Sequence, residues 1–571
     1  MEQKIKNLIT EALKNLNIEG GDFIVEHPAD LTKGDYSTNV AMVFSKKLNT
    51  NPKDLAEKIV TEITKLNLDG EIEKISVAGP GFINFYLSRE FFTESVKDIL
   101  NKGENWGRNE ILTGKKVMVE YTQPNPFKPF HIGHLMSNAI GESISRIVEF
   151  SGAKTVRANY QGDVGPHVAK AIYGILNSDE YAKNGISGGS SVSQSALWIG
   201  ECYSKGSDFY DNNEDAKKEI DILNKKIYEK SDEKINEIYD WGRKITLEAF
   251  EDIYKILGTK FDYYFFESEM APIGEKIVRE NLGPVFEESD GAIVFHAEKY
   301  NSKLHTRVFI NSKGLPTYET KEIGLTTTKF IKENPDLSIV TTAIEQAEYM
   351  KVVEQALILI RPEYASRMKH ITHGMMRLAS GKMSSRKGNV VTGESLLRDS
   401  MDIVLEKVKD RDFSEAEKKE ISERVGVAAL RYSILHSTTG SDIIFDFEKS
   451  ISFEGDSGPY LQYSAIRAQS VLNKAGEYNN FSEVPEIVSS LEKRLYRFPE
   501  VVTRSYQELQ PHYIATYLTE LASEFNSFYA NTKILNSEDK CSEYYLALTK
   551  SFLLTMSQGL QLLGISLPNR M

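Results

Sequence analysis

Residues 116–152 read KVMVEYTQPNPFKPFHIGHLMSNAIGESISRIVEFSG. Lys116 to Tyr121 is a short run rich in β-formers and predicts a strand. Gly133 to Phe150 follows the helical period and is ended by Gly152, which predicts a helix. Pro124, Pro126 and Pro129 stiffen the loop between them. Outward from this unit the same pattern recurs. Thr155 to Tyr160 predicts a second strand, followed by a Gly-Asp-Val-Gly-Pro turn and a helix. Leu337 to Ala343 predicts another, with a helix from about Gln346 to Ile360. Short strands alternating with longer helices predict a parallel α/β sheet.

The flanking regions differ in character. Residues 1–110 mix helices and strands: Asn51-Pro52 followed by Asp54 is a helix start, and Gly79-Pro80-Gly81 precedes a β-rich run, Phe82 to Leu87. The stretch from about Asn212 to Leu257 is helical with mixed charge, as exposed helices are, and marks an insertion. A Gly/Ser cluster, Gly185 to Ser193, precedes it as a loop. Arg307 to Tyr318 predicts a hairpin turning at Ser312-Lys313-Gly314. From about Ser414 onward the chain is almost all helical, and no internal repeat is evident. The predicted layout is a multidomain α/β protein in three parts: an α+β domain over 1–110, a parallel-sheet domain over 111–413 with a helical insertion at about 185–290, and an all-α domain over 414–571.

Composition sets the class. A chain of 571 residues is too long for one core. Its 40% hydrophobic and 26% charged content excludes disordered and collagen-like chains. No apolar run approaches the ~20 residues that span a bilayer, and Met1 to Leu16 lacks a signal-peptide core. Cys202 and Cys541 stand far apart, which leaves no disulfide framework or Cys-based zinc cluster and fits a reduced, cytoplasmic protein. The net charge of −13 lowers the odds of a nucleic-acid partner without excluding one, because phosphate binding needs only local positive patches.

Two motifs carry chemistry. His131-Ile132-Gly133-His134 falls between a predicted strand and a predicted helix, at the carboxyl edge where parallel sheets bind nucleotides. The helix amino terminus offers free N–H groups and partial positive charge to phosphate. Two imidazoles there can donate hydrogen bonds to an α-phosphate, and Gly133 lets a purine ring approach the backbone. Such a tetrapeptide arises by chance in roughly one chain in fifteen of this length, so its placement counts for more than its letters. A metal pair is the alternative reading of the histidines, with no third ligand evident nearby. Downstream, Lys382-Met383-Ser384-Ser385 lies in a Gly-bounded loop with Arg386 and Lys387 and no acid. A solvated basic loop is the ordinary reading of such a run; folding over a triphosphate and stabilising the departing pyrophosphate is the functional one. The order of the two motifs favours the second.

These residues resemble the nucleotide signatures of the class I aminoacyl-tRNA synthetases. Val119 to Phe130 is similar to the lead-in of the family's arginine branch, and Gly34 to Asn39 and Gly79 to Phe85 to its amino-terminal domain. Ala429 to Tyr432, Phe453 to Tyr463 and Leu563 to Met571 resemble its anticodon-binding helical domain. The resemblance implies a Rossmann-like catalytic domain. It implies a ligase that activates L-arginine with Mg-ATP and transfers it to the 3′ end of tRNA(Arg), with tRNA bound before the first step. The isolated cysteines and the lack of clustered His/Asp/Glu at ligand spacing predict no zinc, the lack of a spanning apolar run predicts no membrane, and the resemblance implies a monomer. Position by position, it assigns Glu120 and Asn125 to the amino-acid backbone end, Lys128, His131 and His134 with Lys382 to the ATP phosphates and catalysis, and Gly133 and Met383 to Ser385 to ATP. It assigns Tyr318, Glu322 and Gln346 to the guanidinium, with Tyr460, Tyr463 and Met571 as candidate tRNA contacts.

Chemistry bears on the guanidinium pair independently. Tyr318 and Glu322 are four apart and share one face of a helix, and a carboxylate is the partner a guanidinium fork requires. An exposed helix contact is the other reading of that pair. Two positions depart from the family pattern: Glu322 stands where Asp is usual, and Lys382 is present where the lysine is often lost. Three rivals stand beside this reading: a class I synthetase for another amino acid, a small nucleotidylyltransferase, and a non-catalytic tRNA-binding descendant. The absent editing insertion and zinc cysteines, the helical carboxyl-terminal domain and the intact signatures argue against them in turn.

Overall fold

The computed structural model describes residues 1–571 except 188–190, 380–390 and 477–480. It falls into two compact units. One comprises residues 1–107, 467–500 and 520–558, the other 108–466, 501–519 and 559–571.

The larger unit is built on a five-stranded sheet. In chain order its strands are β1 (Lys116–Glu120), β2 (Lys154–Gln161), β3 (Tyr263–Phe266), β4 (Leu337–Ala343) and β5 (Met368–His373). They lie side by side as β5-β4-β1-β2-β3, every neighbouring pair parallel. β1 and β4 stand at its centre, with Val117, Val119, Ile339 and Val340 buried, as a sheet covered on both faces requires. Register sets the carboxyl edge: Glu120 lies opposite Ala158 and Val340, so the ends of β1, β2 and β4 open onto one rim.

Helix α1 (Ile132–Phe150) follows β1 and is buried along most of its length. α2 (Pro166–Leu176) follows β2. Three long helices come next, α3 (Val192–Asn212), α4 (Glu214–Glu229) and α5 (Glu233–Leu257), capped by the side chains of Ser191, Asn213 and Asp232. Residues 185–290 are therefore not wholly helical: after α5 the chain re-enters the sheet as β3 and continues as α6 (Glu267–Glu280). The four-residue strand Tyr-Tyr-Phe-Phe is too short to show a period of its own. α7 (Tyr318–Glu333) precedes β4, and α8 (Ala347–Ile360) follows it. α9 (Gly393–Val408) and α10 (Glu415–Leu435) complete the helices that bear on the site.

The expected hairpin at Arg307–Tyr318 forms only in part. Arg307–Ile310 pairs instead with Ala292–Phe295, and the return beyond Gly314 makes a single bridge, Ile310 to Pro316. The Thr317 N–H still donates to the Phe309 carbonyl at 2.9 Å, and Pro316, with no N–H, cannot extend the ladder before Tyr318 begins α7.

In the smaller unit, four antiparallel strands follow the order Val25–Glu26, Tyr36–Thr38, Phe82–Leu87, Ile72–Ala78. Helices Glu2–Asn15, Val40–Leu48 and Pro52–Thr64 cover them, burying Ile5, Ile9, Phe44, Ile59 and Phe85. The Asn51 side chain caps the Pro52 helix, 2.8 Å from the Lys53 amide. Polar contacts fasten the later helical segments here: Glu500 accepts from Tyr36 Oη at 2.6 Å and meets His27 Nε2 at 2.8 Å, and Arg89 pairs with Glu492.

Candidate functional site

β1 ends in Glu120, and the chain leaves it in a conformation few side chains adopt. Thr122, Gln123 and Phe127 have φ of +78°, +50° and +68°. For a β-branched residue such as Thr122 this is strained and needs outside support. α1 supplies it. The Thr122 N–H donates to Ser137 Oγ at 3.0 Å, and Asn138 Nδ2 donates to Thr122 Oγ1 at 3.0 Å. The same helix thus carries one motif and clamps the loop leading into it.

His131 is the residue before the first turn of α1. Its backbone N–H donates to His134 Nδ1 at 3.2 Å, and the two rings stack with centroids 3.4 Å apart. With Nδ1 accepting, the neutral His134 ring must carry its proton on Nε2, where it can donate. Burial holds the His134 pKa well below the usual range, reinforced by His131 and Lys128. His131 keeps an exposed edge, yet desolvation, with Lys128 and His373 adding, lowers it to about 4. Both rings are neutral donors near pH 7. A Cβ on Gly133 would lie 3.1 Å from the His131 ring, so the glycine lets that ring settle on the helix start. Lys128 is half-buried with its amine 5.2 Å from the Tyr203 ring, and burial lowers its pKa.

Lys382, Met383, Ser384 and Ser385 lie outside the described residues. The described chain on either side is anchored: Met376–Leu378 pairs with Ile443–Phe445, and the Gly393 N–H donates to the Phe130 carbonyl at 2.8 Å. The described chain therefore resumes after residue 390 beside the first motif.

Deeper along the rim lies an acidic group. Glu120 pairs with Lys329 at 2.8 Å, both fully buried, and its other oxygen accepts from Gln123 Nε2 at 2.8 Å. Glu267, the first residue of α6, pairs with Lys321 at 2.6 Å. Glu322 is the third acid, 4% exposed, and its Oε1 has no hydrogen-bond partner among the described residues. Burial raises its carboxyl pKa to about 8, Glu120 adding and Lys329 opposing. Tyr160 Oη, close enough to feel Glu267 and Glu322, is likewise buried without a partner. Three acids thus face two lysines, and among the described residues Glu322 is the one left without an ion-pair partner. Such a group accommodates a further cation.

The remaining sequence candidates fall as follows. Tyr318 opens α7, 60% exposed, with Lys321 Nζ 5.2 Å from its ring. Gln346 precedes α8 with its side chain exposed. Asn125 Oδ1 accepts from the Gly162 amide at 3.2 Å, joining the β1 loop to the β2 turn. Tyr463 lies edge-on to Phe453 with centroids 6.5 Å apart, and Met571 packs with Phe453 against the cluster of Val404, Val408, Ile421 and Val425. Tyr460 is half-buried in the first turn of the same helix as Tyr463.

Sequence reasoning missed Glu267, Lys321, Lys329 and Asp163. Asp163 is fully buried and accepts from the Ser268 amide at 2.9 Å, from Ser268 Oγ at 2.8 Å and from Arg243 Nε at 2.9 Å. It thereby fixes the β2 turn to the start of α6 and to α5. Lys329 was within reach of the sequence, seven residues beyond Glu322 and so on one helix face.

Three family models match: "tRNA synthetases class I (R), catalytic domain" over residues 95–447, "DALR anticodon binding domain" over 461–571, and "Arginyl tRNA synthetase N terminal domain" over 3–87. The chain is 30% identical to an arginine–tRNA ligase of Clostridium perfringens over 99% of its own length and 100% of the relative's. It is 34% identical to one of Fusobacterium nucleatum, covering 94% and 93% of the two chains. The fold is that of the Thermus thermophilus arginyl-tRNA synthetase, with a TM-score of 0.81 at 23% identity and complete coverage of both chains. The Plasmodium falciparum enzyme gives 0.79 at 22% identity, covering 100% of this chain and 99% of that one.

Proposed function

This chain belongs to the class I arginyl-tRNA synthetases, and from that premise we propose how its own residues perform arginine–tRNA ligation. The reaction joins L-arginine to tRNA(Arg) through arginyl-adenylate. The arginine carboxylate attacks the α-phosphate of Mg-ATP and pyrophosphate leaves; a hydroxyl of the terminal tRNA ribose then attacks the activated carbonyl. No protein nucleophile is needed, so the chain contributes position and charge.

His131, His134 and Lys128 take the phosphate end. Neutral imidazoles at a helix amino terminus donate hydrogen bonds to phosphate oxygens without forming a fixed ion pair, and the free N–H groups of α1 add to them. Gly133 lies under the adenine, and Met383 to Ser385 line the same nucleotide. Lys382 approaches the leaving pyrophosphate. Glu120 and Asn125 hold the ammonium and carboxylate end of arginine, and Glu322 reads its guanidinium with Tyr318 and Gln346 at the rim. The observation that carries this reading is the unpartnered Oε1 of Glu322 in a buried group of three acids and two lysines. An arginine side chain supplies the missing cation in a fork that a carboxylate matches.

Three functional parts follow: a tRNA-contacting domain over 1–110, the catalytic domain over 111–413 and the anticodon-binding helices over 414–571, where Tyr460, Tyr463 and Met571 are the contacts we assign. The enzyme works as a cytoplasmic monomer with Mg-ATP as substrate and no zinc. No helix among the described residues is long and apolar enough to cross a membrane. Arginine-dependent ATP–pyrophosphate exchange, run with and without tRNA(Arg), tests this reading. Exchange that requires arginine and is raised by the RNA is expected; exchange driven equally by lysine or citrulline would overturn it.

A further inference from the structure

Arg431 is among the largest fully buried side chains of the protein, 1% exposed on α10. Among the described residues no carboxylate lies within ion-pair distance of it, and burial pushes its pKa down to about 10, Glu142 opposing through space. Buried guanidinium groups ordinarily meet an acid. Here they meet the backbone and two neutral side chains. Nη2 donates to the Leu257 carbonyl at 2.8 Å and approaches Asn138 Oδ1 at 3.3 Å and Thr259 Oγ1 at 3.4 Å, while Nη1 reaches the Leu563 carbonyl at 3.5 Å. One charge thus joins the end of α5, the last residues of the chain and α1.

Asn138 passes the connection on. Its Oδ1 accepts from Arg431 and from Thr259 Oγ1 at 3.2 Å, which turns Nδ2 toward Thr122 Oγ1 at 3.0 Å. Thr122 is the residue held at φ +78°, between Glu120 and Asn125. The geometry points to Arg431 as a positioning residue for arginine activation, acting through Asn138 to keep Thr122 in its left-handed turn. This inference rests on the assignment of Glu120 and Asn125 to the amino acid. It also links that turn to the carboxyl-terminal residues, because Ser143 Oγ on α1 donates to the Leu562 carbonyl at 2.9 Å and Gln462 Nε2 to that of Ser566 at 2.7 Å.

The test is steady-state exchange with the full chain and tRNA(Arg), varying arginine and ATP separately, for Arg431→Lys, Thr122→Gly, the double variant and Glu120→Gln. A lysine keeps the charge and loses the fork. Arg431→Lys is expected to lower kcat/KM for arginine about thirtyfold with the ATP KM within about twofold, as misplacement of a positioned group does. Glycine adopts a left-handed turn unaided, so in the Thr122→Gly background the same substitution should lower it less than about threefold further. Equal losses in both backgrounds, or parallel rises in both KM values, would overturn the relay. Glu120→Gln separates the two readings: arginine kinetics unchanged there would sink the site assignment, whereas a large arginine-specific loss there beside equal Arg431→Lys losses would sink the relay alone. If Arg431→Lys does not fold, Gly564→Ala perturbs the guanidinium from the far side. Its Cβ would lie 2.4 Å from Nη1 at a residue of φ +69°, and the same separation of arginine from ATP kinetics is expected.

Discussion

At the start of α1 the ionisable groups are two stacked imidazoles and a half-buried lysine, with burial holding both rings neutral. Deeper on the rim, Glu120, Glu267 and Glu322 lie buried with Lys321 and Lys329, and Glu322 has no ion-pair partner among the described residues. Both groups hang from the carboxyl edge of one sheet, yet their electrostatics are opposite. The first is suited to an anion that changes geometry, the second to a cation of fixed shape. The difference teaches that the sheet supplies only a rim; what each group can hold is set by what the local burial does to charge.

The largest effect should come from breaking the acidic group's internal balance. Lys329→Met leaves Glu120 buried without its cation, and unfolding free energy should fall by about 3–5 kcal/mol, measured by denaturant titration. A loss under about 1 kcal/mol would mean that water reaches Glu120. On the other side, His134→Ala and Lys382→Ala should each lower the exchange rate at saturating substrates by roughly ten- to a thousandfold, as loss of one donor to the transition state does. Near-normal turnover in either variant would assign that residue to structure alone.

The two ends should also separate in pH. Glu322 is an acid whose pKa is raised to about 8, so it is protonated below that value and must ionise to pair with a guanidinium. The arginine KM should therefore rise as pH falls below about 8, by up to tenfold per unit, and stay level above it. The histidines have pKa values lowered far from this window, so they should impart no titration to the ATP KM between about pH 6 and 8. A flat arginine KM across the same range would show Glu322 already ionised in the free enzyme. The smallest effect concerns metal: a zinc-selective chelator should leave exchange in excess magnesium unchanged, and inactivation with stoichiometric zinc release would contradict the account.

Much of the β1–α1 turn was legible in the sequence. β1, α1 and β4 have periods long enough to read, and the His131 to His134 turn falls where a strand hands over to a helix. The acidic end was less so. α7 carries Glu319, Lys321, Glu322 and Lys329, a pattern that ordinarily marks a solvated helix, yet all four are buried: Glu319, Lys321 and Lys329 pair with Arg307, Glu267 and Glu120 on other elements, and Glu322 is left without a partner among the described residues. Glu267 follows a four-residue aromatic strand that merges with the helical stretch before it, and Asp163 lies between Gly162 and Gly165 in a turn whose composition marks it only as a loop. Pairing partners distant in the chain, such as Glu120 with Lys329, are decided by the sheet and appear only once it is built.

The measurement closest to the central claim is the kinetics of Glu322→Gln against both substrates. Losing one side of a buried charge pair should reduce kcat/KM for arginine about a hundredfold, near 3 kcal/mol, while the ATP KM changes little. Discrimination against citrulline, a neutral analogue of nearly the same shape, should weaken with it. Arginine kinetics within about twofold of the unmodified enzyme would contradict the account and assign the guanidinium to another acid.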